Sequence, residues 1–171
     1  MATNEEHTEV DKELHKVIED WHERARQVQN AHYDSGGYYE KIYLSLGLPV
    51  IVLSALVGGS EVLVPNEVVN QFGNAKALSG VISLGIAVLA GLQTFLKLSQ
   101  RSERHRMAGA RYGEVRRALE EINITCAESN KDAKIELHKI KKHMDSLAGE
   151  SPELPQRILK KYRPSDYGEK K

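Results

Sequence analysis

Two long uncharged segments interrupt a chain in which 28% of the 171 residues are charged. Residues 42–60 and 77–96 contain no Asp, Glu, Lys or Arg over 19 and 20 positions. A helix rises about 1.5 Å per residue, so each segment reaches about 30 Å, the hydrocarbon thickness of a bilayer. Burial in a soluble core is the alternative, but two such runs would leave little chain to cover them. We therefore predict transmembrane helices at 42–64 and 77–96.

The segment between the two runs is short and contains turn-forming residues. It predicts an external loop at 65–76, so that the spans form an antiparallel hairpin: Pro65, Asn66, Gly73 and Asn74. Basic residues lie beside the other ends of the spans, at Lys41 and from Lys97 onward, which places both termini in the cytosol. The glycosylation sequon Asn123-Ile124-Thr125 is then expected to stay unmodified.

The segment before the first span, residues 1–41, is amphipathic. Apolar residues recur at steps of three and four, which predicts a helix from about Glu9 to about His32. Ser35-Gly36-Gly37 predicts a break in that helix. A cluster of tyrosines follows, and because amphipathic rings favour the headgroup layer it predicts a membrane interface: Tyr33, Tyr38, Tyr39 and Tyr43.

A second amphipathic stripe follows the second span, in the basic segment 97–150. Its apolar positions repeat as in a coiled coil and resume out of phase after 128–132, which predicts a break there: His105, Ala108, Tyr112, Val115, Leu119, Ile122 and Cys126, then Leu137, Ile140, Met144 and Leu147. The partner of this stripe is either the N-terminal helix of the same chain or the same helix of another copy. Lys97, Arg101 and Arg104 at its start predict a contact with anionic headgroups. Residues 151–171 form a Pro-containing tail.

The charges cancel overall but are separated along the chain. There are 24 basic and 24 acidic residues, yet residues 1–41 carry net −5 and residues 97–171 net +6. The zero balance argues against a nucleic-acid partner, and the separation favours pairing of the two flanks. The single cysteine excludes an internal disulfide. Because nucleotide-binding, nucleophile-elbow and metal-ligand motifs are absent, we predict no enzyme activity, no cofactor and no metal site.

Small and hydroxyl residues gather on one face of the second span when its positions are placed at 100° intervals. They are Ser79, Ser83, Ala87, Ala90, Gln93 and Thr94, and the first span contributes Ser54 and Gly58. One interpretation is that these faces join the two spans to each other, since small residues allow close helix packing in lipid. The other is that copies of the second span surround a polar path through the membrane.

The order of several short motifs resembles the SLATT domains, the SMODS and SLOG-associating two-transmembrane effector family. The motifs are Trp21-His22-Glu23-Arg24-Ala25, Leu46-Gly47-Leu48-Pro49, Leu92-Gln93-Thr94-Phe95-Leu96, then His105, Ala108 and Arg111-Tyr112, and Ser151-Pro152-Glu153-Leu154-Pro155. The resemblance covers about Val10 to Tyr162. It implies a membrane effector of defence or conflict systems that forms pores or perturbs membranes when a nucleotide-signalling partner fires. Because these residues include no sensor domain, the trigger is expected from a separate protein, a ligand or assembly itself.

The sequence thus predicts an all-α fold, with a two-span transmembrane helical hairpin flanked by long cytosolic amphipathic, coiled-coil-like helices. The predicted function is that of a multi-pass, homo-oligomeric membrane protein resembling pore-forming effectors, with the lipid bilayer and a separate nucleotide-signalling protein as partners. One alternative is a non-conducting membrane scaffold or adaptor. Another is a two-span ion channel with coiled-coil flanks, similar in layout to the mitochondrial calcium uniporter, although the loop Pro65-Asn66-Glu67 lacks the acidic pore motif of that family.

Overall fold

The described part of the chain is all-helical. The structure, a computed structural model, describes residues 2–63, 75–125 and 130–162. Its helices are α1 (Ala2–Leu63), α2 (Ala75–Leu96), α3 (Leu98–Thr125), α4 (Asn130–Glu150) and α5 (Gln156–Tyr162). The predicted external loop at 65–76 and Cys126 lie largely or wholly outside these ranges.

The chain divides into two compact units. The first, here called the bundle unit, comprises residues 1–36 and 103–171, and the second, the apolar unit, comprises residues 37–102. Helix α1 contributes its N-terminal part to the bundle unit and its C-terminal part to the apolar unit. Each unit is described below by itself.

The bundle unit is held by one apolar core formed by α1, α3 and α4. The stripe predicted after the second span packs inside its own chain, so the intramolecular alternative is the one that the structure adopts. Ile18 on α1 and Leu119 on α3 are 2% and 0% exposed at its centre. The remaining core residues are Leu14, Ala25, Tyr112, Val115, Ile122, Ala133, Leu137 and Leu147, with Trp21, Val28, Ile140 and Met144 packed against them. Burial of these side chains is the main source of stability for the unit.

The predicted helix break at Ser35-Gly36-Gly37 is wrong, because α1 continues through it without interruption. The Ser35 side chain is fully buried, and its hydroxyl donates a hydrogen bond of 2.8 Å to the carbonyl oxygen of Ala31, one turn earlier. The hydroxyl therefore bonds within the helix and offers the backbone no competing conformation. Each glycine in a helix interior costs about 1 kcal/mol relative to alanine, a preference that tertiary packing overrides here.

One predicted boundary coincides with a helix end. Helix α2 ends at Leu96, and Lys97 adopts a left-handed conformation with φ 48° before α3 begins. Helical hydrogen bonding then resumes, since the N–H of Arg101 donates to the carbonyl of Lys97 over 3.0 Å. The break predicted at 128–132 lies partly outside the described residues, and its positions 130–132 are helical because α4 begins at Asn130.

Helix α5 lies in the predicted C-terminal tail, where the sequence pattern predicted no helix. Pro155 immediately precedes this helix, and its carbonyl accepts from the N–H of Ile158 at 2.8 Å and of Leu159 at 2.9 Å. A proline at a helix start loses no hydrogen bond, because the first N–H groups of a helix have no internal partner. The motif Ser-Pro-Glu-Leu-Pro in the predicted tail therefore also marks the start of a helix.

Candidate functional site

The apolar unit exposes most of its large hydrophobic side chains. The helical runs Lys12–Gly59 and Ala77–Ile124 each contain an 18-residue window that is long and apolar enough to cross a membrane, and 6% of each window is buried. The exposed side chains include Leu48, Ile51, Val52 and Leu56 on α1, and Leu78, Val81, Leu84, Val88 and Phe95 on α2. The core helix of a soluble protein hides such residues. Exposed apolar patches are typical of surfaces that contact a membrane or another protein.

Within the apolar unit, α1 and α2 contact each other at a glycine of α1. Gly47 is buried, and a methyl group added there would lie 2.6 Å from Nε2 of Gln93. The same Gln93 amide donates a hydrogen bond of 3.3 Å to the carbonyl oxygen of Tyr43. Gly47 thus makes room for a polar side chain that bonds to the neighbouring backbone, an arrangement that is typical of helix packing in lipid.

The small and hydroxyl residues predicted as pore-lining or packing residues divide into two groups. Ser79, Ala90 and Gln93 are half-buried, whereas Ser83, Ala87, Thr94, Ser54 and Gly58 are exposed. Four larger apolar residues of α2 are half-buried as well: Ile82, Ile86, Leu89 and Leu96. The Thr94 hydroxyl donates to the Ala90 carbonyl over 3.1 Å. The side chains of the exposed group therefore reach the surface of the apolar unit.

The predicted interface residues are mostly exposed. Tyr33, Tyr38 and Tyr43 are about two-fifths exposed, and Tyr39 is half-buried with its ring edge-on to that of Tyr38 at 5.6 Å. The basic residues predicted to meet headgroups also reach solvent: Lys97, Arg101 and Arg104.

A buried histidine pair was missed by the sequence analysis. His32 on α1 and His105 on α3 are each 2% exposed, and their Nδ1 atoms lie 3.0 Å apart. The Tyr112 ring stacks on His32 at 5.8 Å. Burial, with a smaller contribution from the neighbouring His105, lowers the pKa of His32 from 6.5 to about 4, and burial also lowers the pKa of His105. His32 continues the helical spacing of Val28, so extending the apolar stripe by one turn would have revealed it.

A cleft of about 430 Å³ opens beside this pair. His32 and Tyr112 line it together with Ser151, Glu153 and apolar residues that include Leu154 and Leu159. Burial raises the pKa of the Tyr112 hydroxyl, although a hydrogen bond with Ser151 opposes the shift.

Helix α5 is attached to α1 at one carboxylate beside the bundle core. Asp34 accepts hydrogen bonds from Nζ of Lys161 at 2.7 Å and from the hydroxyl of Tyr162 at 2.8 Å. No residue of α5 is itself buried. Asp34 therefore supplies two polar contacts to α5, beside half-buried Ile158 and Leu159.

Other histidines bridge α1 and α3 on the surface. His15 bonds to Oδ1 of Asn123 at 2.8 Å, and His22 bonds to the Glu120 carboxylate at 2.9 Å. Within the residues that the structure describes, no three His, Cys, Asp or Glu side chains come together as a metal site. These exposed histidines act as hydrogen-bonding links between helices.

Comparisons with known proteins give no match. No family model, no curated protein and no solved structure matches the chain.

Proposed function

We propose that this chain is an integral membrane protein whose apolar unit crosses the bilayer as a two-helix hairpin and assembles with further copies into a membrane-permeabilising oligomer. The observation that carries the proposal is the exposed apolar surface of the unit, in which 6% of each span's most apolar window is buried. Lipid covers such a surface without further protein. The bundle unit, rich in charged residues, stays in water on the cytosolic side, where the basic residues that flank the spans are favoured.

The distribution of small residues supports assembly. With 100° per residue, the covered face of α1 centres near Val50 and Val57, and the covered face of α2 centres near Gln93. Ser54 and Gly58 lie about 60 to 100° from the centre on α1, and Ser83 with Ala87 lies about 80 to 120° from the centre on α2. Because the two helices run antiparallel, rotation in the same sense along each chain places both sets of residues on the same side of the hairpin.

One side of the hairpin therefore carries small and hydroxyl residues, while the remaining lipid-facing surface is made of Leu, Ile, Val and Phe. Ser79, Ser83, Ala87 and Gly91 recur every four residues, the spacing that lets helix backbones approach closely in lipid. Exposed hydroxyls gain little from lipid but bond readily to a second helix or to water. We infer that this side faces other copies and lines a polar path between them.

The proposed role follows the resemblance to two-transmembrane effectors, with the bundle unit as the element that controls assembly. A separate nucleotide-signalling protein is proposed as one source of the trigger, acting on the bundle unit. Since the spans contain no charged residue, the path is expected to conduct small solutes with little selectivity.

Dye release from sealed liposomes tests this function. Purified protein should insert and release a small trapped dye, and Ser83→Leu should reduce or abolish release while helix content and insertion are retained. Val81→Leu is the matched control, because Val81 lies on the opposite side of α2 and is 68% exposed to the proposed lipid. Equal release by the two variants would remove the polar-path model, and an inserted protein that releases no dye would favour the scaffold alternative.

Topology is tested separately. The sequon at Asn123 belongs to α3 of the bundle unit, where its side chain accepts the hydrogen bond from His15. Expression in a secretory membrane should leave Asn123 unmodified. Glycosylation at Asn123 would place the bundle unit on the wrong side of the membrane and overturn the proposed orientation.

A further inference from the structure

The His32–His105 contact joins two segments of the bundle unit near the ends of those segments. His32 lies four residues before the end of the unit's first segment, and His105 lies two residues after the start of its second. The buried apolar residues of the unit in α1 and α3 extend away from these segment ends, from Ala31 back to Leu14 and from Ala108 on to Ile122. The histidine pair therefore closes α1 onto α3 where each helix passes from one unit to the other along the chain.

The geometry of the pair restricts its charge. With Nδ1 atoms 3.0 Å apart, one imidazole must donate and the other must accept, so at least one ring is neutral. Two protonated rings would place like charges in contact inside a buried site, which is strongly unfavourable. The contact therefore requires at least one neutral ring, and acid protonates both rings.

The groups that line the cleft beside His32 give little compensation for a positive charge on its ring. His105 and the stacked ring of Tyr112 face His32 from α3. In the cleft beside His32, α4 contributes Ala148, the 151–155 segment contributes Ser151 and Glu153, and α5 contributes Gln156 and Leu159. Among these lining residues Glu153 has the one carboxylate, and its side chain is exposed, so water screens its field.

We propose that the His32–His105 contact is an acid-sensitive clasp, in which proton uptake by the pair separates α1 from α3 and triggers the proposed membrane leak. The trigger rests on the proposed function, whereas the clasp itself is a property of the bundle unit. Opening lets both rings reach water and take up protons. The open form is therefore favoured as the pH falls.

The pH range and the size of the effect follow from the pKa of His32. Its pKa is about 4 in the closed bundle and 6.5 when the ring is in water. Because the closed state disfavours the protonated ring, the contribution of His32 to closure is fully present above pH 6.5 and is lost progressively between pH 6.5 and pH 4. At pH 5, His32 alone raises the ratio of open to closed bundles about 30-fold. His105 acts in the same direction.

Trp21 is the single tryptophan and packs against the bundle core, so its emission reports opening. In liposomes, wild-type protein should show a red shift of Trp21 emission between pH 6.5 and pH 4. The double variant His32→Gln/His105→Gln keeps polar side chains that cannot be protonated, and it should lose that transition. His22→Gln is the matched control, because His22 is an exposed histidine next to Trp21 that bonds to α3 through Glu120, and it should keep the transition.

Each outcome decides between the alternatives. An unchanged Trp21 emission between pH 8 and pH 4, or a transition that persists in the double variant, overturns the clasp. If the double variant does not show the wild-type emission at pH 8, the single variant His105→Gln takes its place and should shift the transition to another pH or remove it. Dye release recorded in the same vesicles tests the leak separately from the clasp. Opening of the bundle without dye release would retain the clasp and contradict the leak. Dye release that does not change with pH would retain the leak and contradict the acid trigger.

Discussion

Shortening Leu119 to alanine measures how much the bundle unit depends on its own core. Leu119 is 0% exposed in the cluster that joins α1, α3 and α4. Removal of a buried leucine side chain costs about 2 to 5 kcal/mol, from lost burial and from the cavity that remains. The whole unit is expected to be stable by about 5 to 15 kcal/mol. Leu119→Ala should therefore remove a large fraction of that stability.

Urea unfolding of the full chain in detergent micelles, followed by Trp21 emission, gives the size of the loss. With a slope of about 1.5 kcal/mol/M, a loss of about 3 kcal/mol lowers the midpoint by about 2 M. Ile124→Ala is the control on the same helix, because Ile124 is 78% exposed and such substitutions change stability by less than about 0.5 kcal/mol.

The same measurement separates a core within one chain from a coiled coil between chains. If α3 packs on α1 of its own chain, the midpoint is independent of the protein concentration. A midpoint that rises with the number of protein molecules per micelle indicates packing between copies. That result, or equal midpoints for Leu119→Ala and Ile124→Ala, would refute the intramolecular core.

Two further substitutions test individual contacts. Gly47→Ala displaces the Gln93 amide from its hydrogen bond, so we expect the α1–α2 contact to weaken by about 1 kcal/mol in an unfolding titration with sodium dodecyl sulfate. The control is Gly85→Ala, which meets no atom within 4 Å and lies on the Val81 side of α2, so it should be neutral or stabilising. A larger loss from Gly85→Ala than from Gly47→Ala would contradict the packing of the apolar unit. Asp34→Ala removes the acceptor of both bonds to α5 and should accelerate trypsin cleavage within that helix, unlike Glu136→Ala, which breaks a pair within α4. Equal cleavage rates for the two variants would show that Asp34 does not hold α5.

The long-range pattern of the sequence predicted the all-helical architecture well. Uncharged runs of membrane length are a strong signal, and the second of them ends at Leu96 in both the prediction and the structure. The stripe through Leu119 predicted a buried face, but its period alone could not say whether the partner lies in the same chain or in another. Only the contact with Ile18 and its neighbours answers that question.

Local signals failed where tertiary packing opposed them. Ser35-Gly36-Gly37 has poor helix propensity, but propensity is a weak preference that a buried environment overrides. The buried histidine pair was missed for a different reason. His32 and His105 are 73 residues apart, and their pairing depends on the register of α1 against α3, which the spacing within one helix cannot supply.

Ion pairs between the acidic N-terminal segment and the basic C-terminal segment contribute little to the stability of the bundle unit. The acidic N-terminal segment was predicted to pair with the basic C-terminal one, and Asp34 with Lys161 fits that pattern. The contact between His22 and Glu120 has the reverse polarity, with the base on the acidic segment. Both pairs are exposed, where water and salt weaken ionic attraction. The described side chains of the bundle unit that are removed from water are apolar residues, the hydroxyl of Ser35 and the imidazoles of His32 and His105. Apolar packing therefore holds the bundle together, and protonation of the two imidazoles is the charge change that opposes it most directly.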